Sequence, residues 1–141
     1  MATLTLTLDV TIHAPKSKVW SALTDPDQIK KYLFGTETKT DWKVGSPITF
    51  SGVWQGKSYV DKGTILEIEK ERKLKYSYWS SFSGTEDKPE NYANVTYALE
   101  DRNGNTLFHL TQDGIKNQEA RSHSEQNWYT VLNLLKDLVE K

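Results

Sequence analysis

The chain has 141 residues, of which 36% are hydrophobic, so it is long enough for one domain with a packed core. Its 18 Lys and Arg residues offset 19 Asp and Glu residues, and a net charge of -1 offers no basic field to a nucleic acid. The absence of Cys excludes disulfides and thiolate sites, and no apolar run approaches the ~20 residues of a membrane span. We therefore expect a single domain over residues 1–141, a cytoplasmic monomer that binds neither nucleic acid nor membrane.

The first predicted elements are one strand and two short helices. Leu, Val and Ile alternate with Thr and Asp over residues 3–12, which predicts a strand with one buried face. Apolar residues then recur at helical spacing from Val19 to Leu23. Asp25 and Pro26 end this helix, and they also fit the cap and the first position of a second short helix.

Residues 36–113 predict a six-stranded antiparallel meander, because period-2 segments alternate with turns such as Asn103-Gly104. The phase over residues 60–68 is ambiguous, since Ile65 interrupts the alternation, and we assign Leu66 and Ile68 to the inner face. The polar segment 80–91 is predicted to be the longest mobile loop. The other residues assigned to the inner face are Ile48, Phe50, Trp54, Leu74, Tyr76, Tyr78, Val95, Tyr97, Leu99, Phe108, Leu110 and Gln112.

The last predicted element is a long helix over residues 117–141. Its second half has an apolar stripe, while the same stripe in the first half carries Ser124, Arg121 and Asn117. The apolar part needs an apolar partner, and the inner face of the sheet is the only large surface on offer. The predicted fold class is therefore α+β, with an antiparallel sheet, two short helices after the first strand and a long C-terminal helix across the sheet. The stripe consists of Trp128, Val131, Leu132, Leu135, Leu138 and Val139.

Several segments in this order carry a family resemblance: APKSKVWSALTDP at residues 14–26, KGTILEI at 62–68, TLFHLTQDG at 106–114 and Trp128 in the last helix. They resemble the START-like (SRPBCC) helix-grip superfamily. Within it, the chain looks most similar to the branch homologous to the C-terminal domain of the activator of heat-shock-protein-90 ATPase. The resemblance covers nearly the whole chain, and it implies a curved sheet that grips the long helix, commonly with a cavity between them.

The three histidines offer no metal or catalytic centre. His13, His109 and His123 fall in separate elements and outside the inner phase, so they are not expected to converge. No Gly-x-Ser-x-Gly elbow is present, and no inward His is available to act as a base. We expect no catalytic residue, no metal site and no cofactor.

Two further patterns have simple structural explanations. Glu67, Glu69 and Glu71 alternate along one strand, which favours a solvated outer face over a pair of catalytic carboxylates. Gly63 and Gly104 are interpreted as turn glycines, since neither lies in a phosphate-binding motif.

The inner face itself is the candidate site, because it combines aromatic rings with polar groups that need partners once buried. A packed core and a ligand-sized cavity both fit this composition. Arg121 lies on the helix stripe, where it could meet a ligand carboxylate at the cavity mouth or simply be solvated. The residues predicted to line a cavity are Phe50, Trp54, Tyr76, Tyr78, Tyr97, Phe108, Gln112, Arg121, Trp128 and Leu132.

Three functions remain open at this point. The first is a non-enzymatic binding module that holds a small lipophilic or aromatic ligand. The second, implied by the resemblance, is a co-chaperone-like domain with a chaperone partner, although the eukaryotic activators carry a further N-terminal domain for which 141 residues leave no room. The third, implied by other superfamily relatives, is a cavity enzyme of cyclase or hydrolase type. The third is disfavoured because no inward His, Asp or Glu is expected.

Overall fold

A computed structural model describes residues 4–33, 35–80 and 86–140 of the protein, and for Trp54 it describes the backbone alone. Within these residues the chain forms seven strands, three α-helices and one short 3-10 helix. In chain order these are β1 (Leu4–Ile12), α1 (Lys16–Thr24), α2 (Pro26–Tyr32), β2 (Glu37–Lys39), β3 (Pro47–Trp54), β4 (Lys57–Glu69), β5 (Lys73–Tyr78), the 3-10 helix (Pro89–Asn91), β6 (Ala93–Arg102), β7 (Asn105–Ile115) and α3 (Gln118–Glu140).

The strands form one curved antiparallel sheet in the order β1-β7-β6-β5-β4-β3-β2. Strands β2 to β7 follow one another as a meander, and β1 pairs with β7 at the far edge. Asn103 and Gly104 have φ angles of 57° and 89°, which suits the tight hairpin between β6 and β7. The predicted α+β helix-grip fold is confirmed, including the two short helices and the long C-terminal helix.

Side-chain caps mark the starts of α2 and α3. The Asp25 carboxylate accepts a hydrogen bond from the backbone N–H of Asp27 at 3.0 Å, and Pro26 occupies the first turn of α2. This is the cap that the sequence predicts. Asn117 plays the same role for α3, because its side-chain oxygen accepts from the backbone N–H of Ala120 at 2.8 Å.

The core lies between the sheet and the second half of α3. Its largest fully buried side chains include Leu6 and Ile12 of β1, Phe108 of β7 and Leu135 of α3. Helix α3 contacts β1, β7, α1 and α2, so it lies over one side of the sheet rather than over its middle. This placement leaves the inner face of β3 to β6 farther from the helix.

The phase of β4 differs from the prediction. Ile65 is fully buried whereas Leu66 is 38% exposed, so Leu66 does not face inward. The pairing of β4 with β5 shifts register between Ile65 and Glu67, and such a bulge adds one residue that reverses the alternation. Ile68 packs partly buried against the core as predicted. The inward residues before the bulge are therefore Tyr59, Asp61, Gly63 and Ile65.

Gly63 is not a turn residue, because it is buried in the middle of β4. A Cβ atom at this position would lie 1.6 Å from the backbone carbonyl oxygen of Ser77 in β5, so only glycine allows the two strands to approach this closely. Gly104 does lie in a turn, as predicted.

The glutamates of β4 face outward, with one exception to the predicted pattern. Glu67 pairs with Lys73 at 3.2 Å and Glu69 with Arg72 at 3.6 Å, both on partly exposed side chains. Glu71 has a φ of 63° and belongs to the turn after β4, because the strand ends at Glu69. The solvated outer face is thus built by two glutamates rather than three.

The predicted loop at 80–91 is described only in part, since residues 81–85 lie outside the described chain. Beyond that gap, Asp87 pairs with Lys62 of β4 and accepts a hydrogen bond from the Tyr92 hydroxyl. The hydrogen bond from Lys62 holds the pKa of Asp87 below its usual value. These contacts attach the second part of the loop to β4.

Candidate functional site

A pocket of about 450 Å³ lies between the sheet and the first half of α3. It forms because Ser124 and Asn127 project from α3 at this level and are too small to reach the opposing strands. Toward the C-terminus, the larger Trp128 and Val131 close the space. The residues that line the pocket are Leu33, Thr36, Phe50, Val53, Tyr59, Asp61, Tyr76, Tyr78, Val95, Tyr97, Gln112, Ser124, Asn127, Trp128 and Val131.

Aromatic rings form a continuous wall along the pocket. The ring centroid of Phe50 is 5.6 Å from that of Tyr76, and that of Tyr76 is 5.8 Å from that of Tyr97. Tyr97 in turn meets Trp128 of α3 at 6.1 Å in an edge-to-face arrangement. These separations are in the favourable range for aromatic pairs, so the rings pack against one another and leave the space in front of them open.

Two tyrosine hydroxyls of this wall share a hydrogen bond, since the oxygens of Tyr76 and Tyr97 are 2.9 Å apart. Burial raises the pKa of Tyr97 to about 12 and that of Tyr76 well above its usual value. Both hydroxyls therefore stay protonated at neutral pH. A mutual hydrogen bond uses only one of the two protons, so the pair can offer one further O–H donor to the pocket.

Trp128 is fixed by a polar contact across the pocket. Its indole N–H donates to the side-chain oxygen of Gln112 on β7 at 2.6 Å. This bond joins α3 to the sheet and orients the indole edge. Gln112 thus faces inward, as its phase in the sequence predicts.

An acidic residue that was not expected there, Asp61, lines the pocket. Its residue is 8% exposed, and its carboxylate accepts a hydrogen bond from the Tyr78 hydroxyl at 2.6 Å. Burial raises the pKa of Tyr78 well above its usual value, and the negative Asp61 adds to this effect. The expectation that no acid faces inward is wrong, because the bulge of β4 turns Asp61 to the inner face. The only signal in the sequence is the interruption at Ile65.

Tyr59 forms the rim of the pocket on the β3–β4 hairpin. Its hydroxyl lies 2.6 Å from the Thr36 hydroxyl, so the side chain reaches across β3 to the segment before β2. Gly52 is the residue opposite Tyr59 in the ladder, and a Cβ atom there would lie 2.7 Å from the Tyr59 hydroxyl oxygen. The missing side chain at Gly52 therefore makes room for this ring.

Other predicted lining residues lie elsewhere. Phe108 is fully buried behind Tyr97, at 5.4 Å between ring centroids, and Leu132 is 3% exposed in the core. Both are sealed because α3 lies directly on β1 and β7. Arg121 donates from Nε to the carbonyl oxygen of Thr5 at 3.2 Å, so it is held at the β1 edge and does not line the pocket. The Trp54 side chain lies outside the described part of the chain. The predicted residues that do line the pocket are Phe50, Tyr76, Tyr78, Tyr97, Gln112 and Trp128.

The outer face of the sheet carries a separate polar cluster. His109 Nδ1 lies 2.6 Å from an Asp9 carboxylate oxygen, and His109 Nε2 lies 3.4 Å from one of Glu100. The hydrogen bond to Asp9 holds the pKa of His109 above its usual value. Within residues 4–33, 35–80 and 86–140, no three His, Asp or Glu side chains are placed to hold a metal ion. None of the helices described in the structure has the length and apolar character needed to cross a bilayer.

Solved structures with this fold come from several bacteria. The solution structure of ChR145 from Cytophaga hutchinsonii is 43% identical, with a TM-score of 0.87 over 99% of this chain and 96% of that one. CalU16 from Micromonospora echinospora is 25% identical, with a TM-score of 0.74 over 97% of this chain and 76% of that one. The Aha1 dimer from Colwellia psychrerythraea is 18% identical, with a TM-score of 0.77 over 97% and 96%. At such low identity, the Colwellia protein shows the fold alone.

The sequence has no significant match among curated proteins. Residues 13–140, nearly the whole chain, match the family described as activator of Hsp90 ATPase homolog 1-like protein. The matched range includes both short helices, the whole meander and α3, so it contains every element that builds the pocket. The chain therefore belongs to the family of activator of Hsp90 ATPase homolog 1-like proteins.

Proposed function

We propose that the protein is a non-enzymatic binding domain that holds a small lipophilic or aromatic molecule in the pocket. The observation that carries the proposal is the space of about 450 Å³ lined by aromatic rings and a few polar groups. Small-molecule sites in proteins have about this size and composition. Side chains of six elements contribute to the pocket, so its shape depends on the whole fold.

The chemistry of the wall indicates how such a ligand would lie. Its apolar body would replace water against Phe50, Tyr97 and Trp128, where burial of apolar surface contributes the driving force. Its polar end would meet the hydroxyl pair of Tyr76 and Tyr97 or the Asp61 region. An affinity in the micromolar range, about -8 kcal/mol, is expected for a ligand of this kind.

The test is a titration with amphipathic naphthalene derivatives, followed by Trp fluorescence and by backbone amide shifts. Binding should quench Trp fluorescence and shift amides of the inner strands, because the ligand would lie beside Trp128. Shifts confined to outer residues such as Glu67 and to the segment 86–92 would contradict the proposal. Pocket residues would then act only as core.

A matched pair of variants separates the pocket from the surface of α3. Ser124→Trp places a large ring in the pocket, whereas Ser122→Trp places the same ring on the exposed side of the helix. The first variant should abolish the amide shifts of the inner strands, and the second should leave them unchanged. Equal loss of binding in both variants would refute the assignment to the pocket.

A co-chaperone-like role is the second candidate, and family membership favours it. It is tested by the ATPase rate of a bacterial heat-shock-protein-90 homologue with and without the 141-residue chain. We expect no appreciable stimulation by this domain alone. Several-fold stimulation that survives Ser124→Trp would replace ligand binding with chaperone regulation as the proposed function.

A further inference from the structure

We propose that the pocket selects cationic ligands, namely amines carried on an aromatic or aliphatic body, with the ammonium group placed beside Asp61. This inference rests on the proposed binding function and specifies its ligand class. A cationic Arg121 at the pocket mouth would instead favour a fatty-acid-like or other carboxylate-bearing ligand.

The described residues that line the pocket carry negative charge and no positive charge. Among the described residues around the pocket, Asp61 is the single acid, and no Lys, Arg or His is present. Lys62, its neighbour in sequence, faces the other side of β4, where it pairs with Asp87 and approaches the ring of Trp79. Arg121 is held at the β1 edge by Thr5. A ligand in the pocket therefore meets a negative potential.

The position of Asp61 makes this charge effective. Its residue is 8% exposed, so water screens the carboxylate far less than it screens an acid on the surface. Tyr78 donates a hydrogen bond to it, and this neutral donor leaves the negative charge in place. This charge lies at the pocket wall, within reach of a bound molecule. An ammonium group supplies both a countercharge and N–H donors.

Aromatic faces around the acid favour the same kind of ligand. Phe50 is the residue opposite Asp61 in the β3–β4 ladder, and its ring centroid is 5.9 Å from that of Tyr78. Tyr59 lies two residues from Asp61 on the same face of β4. Electron-rich ring faces attract a cation in addition to packing against its apolar body. A carboxylate ligand would meet repulsion from both Asp61 and the ring faces.

Three probes with nearly the same apolar body isolate the charge: naphthylethylamine, naphthylethanol and naphthylacetic acid, titrated at neutral pH by calorimetry and amide shifts. On the unmodified chain we expect the amine to bind about tenfold more tightly than the alcohol, and the acid to bind most weakly. High salt should weaken this order only partly, because the acid is buried. This comparison needs no variant.

Asp61→Asn provides the second arm, since the amide oxygen can still accept from Tyr78. The variant should lose the advantage of the amine while its affinity for the alcohol stays within about threefold. Asp137→Asn removes the same charge from the exposed side of α3 and should keep the original order. If Asp61→Asn does not fold, the order of the three probes on the unmodified chain still decides the inference.

The outcomes separate this inference from the proposed function. Equal binding of all three probes, or an amine advantage that survives Asp61→Asn, would overturn the cation preference and leave the binding domain in place. Tightest binding by the acid would also overturn it. Absence of binding by every probe would count against the binding function itself.

Discussion

The two halves of α3 meet the sheet in opposite ways. In the C-terminal half, residues 130–140, Leu135 and Val139 are each 1% exposed and pack directly on the core. In the N-terminal half, residues 118–129, Ser124 and Asn127 stand above the pocket. One helix thus combines a closed interface with an open one.

Polar contacts strengthen the closed interface. Lys136 donates to the carbonyl oxygen of Thr11 at 3.1 Å, and Glu140 accepts from the backbone N–H of His13 at 2.8 Å. These contacts join the end of α3 to β1 and to the residue that follows it. The C-terminal half therefore anchors α3 on the core, and the N-terminal half, attached at Arg121 and Trp128, spans an unfilled space above the sheet.

The largest effect is expected from removing the anchor. Leu135→Ala should lower the free energy of unfolding by about 2 to 5 kcal/mol, because a fully buried side chain leaves a cavity in a packed site. Urea denaturation followed by far-UV circular dichroism measures this loss. A loss below about 1 kcal/mol would show that the C-terminal half is not the anchor.

A smaller effect follows from enlarging one residue in each half. Val139→Phe should cost about 1 to 3 kcal/mol, since the added ring has no space in the closed interface. Ser124→Phe should change stability by less than about 0.5 kcal/mol, because the ring enters the pocket. Equal destabilisation of the two variants in the same denaturation assay would contradict the comparison.

The smallest effect concerns the pH dependence of the anchor. The hydrogen bond from the His13 N–H holds the pKa of Glu140 below its usual value, and Lys136 acts in the same direction. The ionised carboxylate therefore stabilises the folded state at pH values above the ordinary glutamate pKa. This contribution disappears as the pH falls through the lowered pKa.

Glu140→Gln separates the contribution of the Glu140 charge to stability from that of other acids that titrate in the same range. The difference in unfolding free energy between the parent chain and Glu140→Gln should be constant near neutral pH and should shrink as the pH is lowered into the acidic range. A difference that does not vary with pH would mean that the Glu140 charge does not contribute to the anchor.

The sequence predicts the helices, the strands and their order well, because each of these elements has a local sequence pattern. Alternation identifies β1, Asp25 and Pro26 mark the start of α2, and the apolar stripe identifies the anchoring half of α3. The polar stripe residues of the N-terminal half also indicate that this half meets the sheet differently. These signals depend on neighbours in the chain, which the sequence displays directly.

The pocket is harder to predict, because it depends on distances between elements. Nothing local shows that α3 lies over β1 and β7, so Phe108 and Leu132 cannot be separated from lining residues by their phase alone. The bulge at Ile65 to Glu67 is a tertiary feature that only an interrupted alternation suggests. If β4 is interpreted as a regular strand with Leu66 facing inward, Asp61 is assigned to the outer face, although it lies on the inner one.

That bulge has a consequence for how this architecture changes over evolution. Asp61 and Lys62 are adjacent and opposite in charge, and strand side chains alternate between faces. A one-residue change of phase in β4 would exchange the carboxylate that lines the pocket for an ammonium group, along with its neighbours on the same face. Insertion or deletion of one residue in this strand would therefore invert the charge of the pocket in one step, as Asp61→Lys would, but it would also exchange the neighbouring side chains on the same face.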